Sequence, residues 1–150
     1  MALESGQPDV LEVTYNLFRQ EPAEELFPAA QAAGVGIIAR EPLANGFLSG
    51  KYGPESIFPP GDIRADFPRS YIEAATRAAE ECRVLVLPGR RTLTQAAIRF
   101  ALEHEAVSVV IPGIKTPEQA EENLAASDVP PLTPDELRWI ATHRWHWTGL

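Results

Sequence analysis

Three stretches of this chain concentrate β-branched and apolar residues in runs too short for a helix. Residues 9–15 read DVLEVTY, with Val10, Glu12 and Thr14 alternating. Residues 36–39 read GIIA, with Val35 just before them, and residues 106–112 read AVSVVIP. Val/Ile runs bounded by Gly or Pro suit strands buried on both faces, as in parallel sheets.

Helical periodicity fills the intervals. Over 22–33, Leu26, Phe27, Ala30 and Ala33 fall on one stripe and Gly34 follows as a C-terminal stop. Pro28 inside that pattern argues against an unbroken helix or implies a distortion. Residues 70–86 read as a long Ala- and Glu-rich helix. Thr92 caps the next helix with Gln95 as its capping-box partner, and its apolar face is Leu93, Ala96, Ala97, Phe100 and Ala101. Thr116 with Pro117 and Gln119, and Thr133 with Pro134, Asp135 and Glu136, open two more. Strands alternating with helices predict an α/β fold with βαβ units and a parallel sheet. Three strands cannot close a barrel, so the chain reads as part of a larger (β/α) domain. Residues 40–52 and 53–69 lack periodicity. Loops beyond about 12 residues are commonly functional, and Gly46, Gly50 and Lys51 would let backbone and charge approach a phosphate. An ordinary surface loop explains the same residues.

The richest candidate chemistry lies at 111–123, IPGIKTPEQAEEN. A strand end, a glycine turn and a helix start follow one another, and helix N-termini attract anions through unpaired amides and the helix dipole. Lys115 adds a full charge. Capping alone accounts for Thr116, Pro117 and Gln119, but not for Gly113 and Lys115 before the cap or Glu122 and Asn123 after it. Local sequence leaves a phosphate site and a plain capped helix equally open.

Composition narrows the classes. Of 150 residues, 45% are hydrophobic and 23% charged, ordinary for a soluble globular chain. A net charge of −8 argues against a nucleic-acid surface. No apolar run nears the roughly 20 residues that span a bilayer, and the start has no signal-peptide order. These features predict a cytoplasmic protein with neither nucleic acid nor membrane as partner. Cys82 is the single cysteine, read as a plain core or surface thiol. His143 and His146 are too few for a metal site. Trp139, Trp145 and Trp147 read as core or interface aromatics before pocket walls.

Four blocks in order resemble the aldo-keto reductases: Tyr15-Asn16-Leu17-Phe18, then Gly34 through Leu43, then Gly46-Phe47-Leu48-Ser49-Gly50-Lys51-Tyr52, and Ile111-Pro112-Gly113 through Glu122-Asn123. The resemblance implies a partial (β/α)8 TIM barrel: strands 6 to 8, their helices and the C-terminal extension. It implies NADP(H) as cofactor and reduction of small-molecule aldehydes or ketones by hydride transfer. The family's catalytic Asp, Tyr, Lys and His belong to the missing N-terminal half, so no catalytic residue is assigned; Tyr15, Lys51 and His104 match no tetrad motif. The resemblance places Arg40 against the nicotinamide, Pro42, Leu43, Gly46, Leu48 and Lys51 in the loop covering the pyrophosphate, and Gly113, Ile114, Lys115, Gln119, Glu122 and Asn123 around the adenosine and its 2′-phosphate. Glu12 departs from the usual Gln, whose amide contacts the nicotinamide carboxamide. The expectation is a truncated product or partial gene model, or a chain that self-associates through its free sheet edges. The alternatives to a reductase portion are a non-catalytic nucleotide-binding or regulatory module, or an inactive fragment.

Overall fold

The computed structural model describes Leu3, Gly6 and residues 8–145. Its centre is a parallel sheet of three strands, β1 (Val10–Thr14), β2 (Gly36–Arg40) and β3 (Val107–Ile111), in that order. Val10 pairs with Gly36 and Thr14 with Arg40 across the first ladder. Arg40 pairs with Ile111 across the second, which carries an irregularity at Ile37/Ile38 that leaves Ser108 unpaired.

The helices are α1 (Leu26–Ala32), α2 (Arg69–Glu81), α3 (Leu93–Leu102), α4 (Pro117–Leu124) and α5 (Pro134–Thr142). Pro28 does not distort α1. The helix starts at Leu26, so Pro28 lies in the first turn, where its missing N–H has no intrahelical partner to lose. Residues 21–23 form a separate 3-10 turn instead. At the other end Val35 N donates to Ala30 O and Gly34 N to Gln31 O, with Gly34 at φ 70°. This is a Schellman stop, and the left-handed backbone is why glycine stands there. The predicted helix over 70–86 breaks at Cys82 into a 3-10 turn, Cys82–Leu85. Both Thr92–Gln95 and Thr133–Glu136 close as capping boxes.

Among the described residues the helical packing lies on one side of the sheet. Ile37 and Ala39 are fully buried there with Leu93, Ala96, Ala97, Phe100 and Ala101 of α3 in the same core. Tyr15, just past β1, stacks on Phe100 at 5.1 Å and meets the edge of Phe27 at 4.9 Å. The expectation of strands buried on both faces fails. On the opposite face Val10 is 49% exposed, and Val109 and Ile111 are each 43% exposed. The described helices all belong to the first face, so these apolar side chains meet nothing comparable.

One buried cation locks the C-terminal half. The Arg91 side chain is fully buried. Its Nε donates to Leu85 O at 3.0 Å and its Nη1 to both Pro130 O and Pro131 O at 2.9 Å. Its Nη2 pairs with Glu136, the residue that also completes the cap of α5. Arg91→Met leaves three carbonyls and a carboxylate without their donor. We expect a loss of about 3–5 kcal/mol, read as a lowered urea midpoint. A loss below about 1 kcal/mol would mean that water replaces the guanidinium.

Candidate functional site

Parallel strands deliver their following loops to one edge of the sheet. Because Arg40 and Ile111 are register partners, the segments 41–52 and 112–116 leave the sheet side by side. The anchor of the first is Asn16, which is buried and donates from Nδ2 to Glu41 O at 2.8 Å. Its Oδ1 accepts from Phe18 N and Arg19 N, closing the turn after β1.

Backbone in segment 41–52 is unusual. Glu41 has φ 55°, and Ala44, Asn45 and Gly46 follow one another at 46°, 56° and 87°. Left-handed backbone in non-glycine residues costs of order 1 kcal/mol or more per residue, so neighbours must hold it. A 3-10 stretch, Ala44–Ser49, contains that kink. Leu43 O accepts from both Gly46 N and Leu48 N, and Ser49 Oγ donates to Gly46 O. Pro42 and Leu48 are buried in the core, and Leu43 is half-buried. Pro42 and Leu48 therefore present no surface to a ligand and anchor the loop, while Leu43 stays partly exposed. Lys51 is exposed, with Nζ 5.0 Å from the centre of the Tyr52 ring.

The second segment is open. Gly113, Ile114 and Lys115 are exposed, and a Cβ built on Gly113 would meet nothing within 4 Å. Thr116 Oγ1 accepts from Gln119 N, as a cap should, but Gln119 Oε1 accepts from Lys115 N at 2.8 Å. The reciprocal half of the predicted box has moved back one residue and fixes the backbone of Lys115. Backbone N–H and Thr116 contacts at the start of α4 hold the exposed Glu118 carboxyl below its usual range. Asn123 braces the segment directly, while Glu122 ties α4 to the start of α3. Glu122 Oε1 accepts from Thr92 Oγ1 at 2.8 Å, and the buried Asn123 donates to Gly113 O at 3.3 Å.

Arg40 ends β2 exposed, with Nη1 2.5 Å from Glu41 and Nε 3.9 Å from Glu12. Glu12 thus supplies Arg40 with a second carboxylate. Sequence reasoning missed Asn16, Asp62 and Arg64. Asn16 stood inside a recognised block without a role, and the other two sit where no periodicity guides the eye. The buried Arg64 reaches Asn45 O, and its guanidinium holds the Asp62 carboxyl far below the usual range, with Lys115 adding to the effect.

No group of three His, Cys, Asp or Glu side chains able to hold a metal occurs among the described residues. No described helix is long and apolar enough to cross a membrane. Trp139 and Trp145 pack against the core, Trp145 edge-on to Phe18 at 5.2 Å. His143 is exposed. His146 and Trp147 lie outside the described residues.

A sequence profile described as the aldo/keto reductase family matches residues 3–144. The chain belongs to that family. An aldo-keto reductase of Pseudocercospora fijiensis (strain CIRAD86) is 30% identical over 93% of this chain and 51% of its own length. Among solved structures, an aldo-keto reductase from Bacillus halodurans in its holo form superposes with a TM-score of 0.66 at 26% identity, covering 93% of this chain and 44% of that one. A glycerol dehydrogenase from Gluconobacter oxydans shares the fold at 22% identity and a TM-score of 0.75, with 89% and 41% covered. The chain thus spans about half or less of these relatives, and its three βα units are part of an aldo-keto reductase (β/α)8 barrel.

Cys82 is fully buried in this aldo-keto reductase portion, and burial pushes its thiol up from 9.0 to about 12. The thiolate forms in the unfolded chain before it forms in the folded one. Stability present below pH 9 is therefore lost as pH rises towards 12, by at most about 1.4 kcal/mol per pH unit. Burial of the Tyr15 hydroxyl acts in the same direction. Urea midpoints taken from pH about 8 to about 10 should fall, and Cys82→Ser should flatten the fall. An equally steep fall in the serine variant would remove Cys82 as a cause.

Proposed function

We propose that this chain is the NADP(H)-binding portion of an aldo-keto reductase that reduces aldehydes or ketones. The supporting observation is the pairing of Arg40 with Ile111. It sets the covering segment 41–52 beside the exposed Gly113-Ile114-Lys115 segment at one edge of the sheet, where barrels of this kind carry their chemistry. The residues present fit such a cofactor. Gly113 leaves space against its backbone, Lys115 has its main chain fixed by Gln119 while its side chain is exposed, and α4 begins directly behind it.

In this reading Lys115 pairs with the 2′-phosphate and selects NADPH over NADH. The exposed backbone of Gly113 and Ile114 lies along the adenosine. Gly46 and Lys51 approach the pyrophosphate, and Pro42, Leu43 and Leu48 hold the covering segment on the core. Arg40 presents a flat guanidinium to the nicotinamide, steadied by Glu41 and Glu12. The nicotinamide, when bound, supplies the hydride. This chain orients it. The general acid that protonates the carbonyl oxygen belongs to the tetrad the family carries outside this stretch, so turnover requires those residues too. The bare face and free edges of the sheet are where strands supplying them would sit.

A thermal melt of the full chain with NADPH and with NADH tests the assignment. At a hundredfold excess over its dissociation constant, a ligand of the folded state adds about 2.7 kcal/mol. NADPH should raise the midpoint clearly and NADH only slightly. Lys115→Met should weaken NADPH by about 10- to 100-fold, the range for a charge-assisted contact, and leave NADH unchanged. A midpoint indifferent to both nucleotides would sink the proposal.

A further inference from the structure

Away from segments 41–52 and 112–116, a cavity of about 80 Å³ opens between the turn after β1 and the residues that follow α5. One water needs only roughly 10–15 Å³. The walls are Phe18, Gln20, Glu21, Glu24, Arg144 and Trp145. Phe18 and Trp145 meet edge to face at 5.2 Å and make one side aromatic. None of the six has a part in the cofactor reading above.

Two walls keep unused capacity for a ligand. Gln20 is 9% exposed. Its Nε2 donates to Leu17 O at 2.9 Å and to Ile140 O at 3.4 Å. Oε1 is the polar atom it has left, and that oxygen accepts no hydrogen bond among the described residues. A buried carbonyl oxygen without a donor calls for an occupant. Glu24 is matched by Arg144, whereas the exposed Glu21 has no ion-pair partner among the described residues. The cavity thus offers two acceptors, a surplus negative charge and an aromatic side, and its one cation is already engaged. We infer that it binds the head of a small primary alkylammonium: the N–H groups go to Gln20 Oε1 and the Glu21 carboxylate, and the methylenes lie against Phe18 and Trp145. A carboxylate or phosphate would meet its own sign at Glu21 and Glu24. A neutral molecule would leave Glu21 unanswered.

The test is a side-chain NMR titration of the full chain with n-butylammonium. Salt at about 0.15 M screens exposed charges beyond about 8 Å and suppresses loose attraction to an acidic surface. The Gln20 amide and Trp145 indole signals should move together and saturate, with a dissociation constant on the order of 1 mM. Glu21→Gln should fold normally, since the Glu21 side chain bonds to nothing among the described residues, and should weaken binding about tenfold. Butan-1-ol, the uncharged counterpart, should bind weaker by at least about tenfold. Nα-acetyl-lysine N-methylamide carries the same head on a peptide backbone. Weaker binding than butylammonium assigns the cavity to a free amine, and tighter binding assigns it to a lysine side chain of another protein. Shifts that never saturate, or that leave the Gln20 amide unmoved, would overturn the inference. So would equal binding of butan-1-ol, or an unchanged affinity in Glu21→Gln. No nucleotide enters the titration, so its outcome is independent of the NADP(H) site.

Discussion

Parallel pairing of β1, β2 and β3 is the constraint from which the rest follows. Neighbouring parallel strands cannot be joined by a tight turn, so each return must cross over the sheet. Crossovers of one hand place the connecting helices on the same side. The core accordingly lies on the face that carries Ile37 and Ala39, and the other face keeps Val10, Val109 and Ile111 in the open. The same pairing sends every strand's exit to one edge. No ligand-binding device is needed to gather segments 41–52 and 112–116, because the Arg40–Ile111 register does it.

Within that frame, the two segments differ in how they offer themselves. Segment 112–116 is open, with Asn123 holding Gly113 O and Gln119 holding the Lys115 amide. Segment 41–52 is pressed onto the core by Pro42, Phe47 and Leu48 and bent by left-handed residues. Both backbones are held by side chains: Gln119 and Asn123 take the first, and Asn16 and Arg64 take the second.

What could be read from the sequence was whatever depends on neighbours along the chain. The three strands, the Gly34 stop and the caps at Thr92 and Thr133 are decided within a few residues, and all appear where the pattern put them. Pro28 weakened the helix read over 22–33, and that stretch divides into a 3-10 turn at 21–23 and a helix from Leu26 with Pro28 in its first turn. The Thr116 cap was half right, since Gln119 chose the Lys115 amide over that of Thr116. The one-sided burial of the sheet escaped, because a run of valines looks the same whether one face is covered or two. Arg64 escaped for a deeper reason. Its partners Asp62 and Phe58 are local, but Asn45 is 19 residues away, and only the folded loop brings them together.

The Arg91 lock also has a meaning in time. Its hydrogen bonds reach 6, 39, 40 and 45 residues along the chain. The first can form with local structure; the others close loops whose entropic cost grows with their length. Until residues 130–136 have arrived, Arg91 is a buried charge with most of its donors unanswered, a poor group to bury. The sheet and α3 can therefore assemble early, while final burial of this guanidinium waits for α5. The arginine acts as a checkpoint on chain order: the C-terminal helix is the piece that completes the core rather than an appendage laid on a finished one.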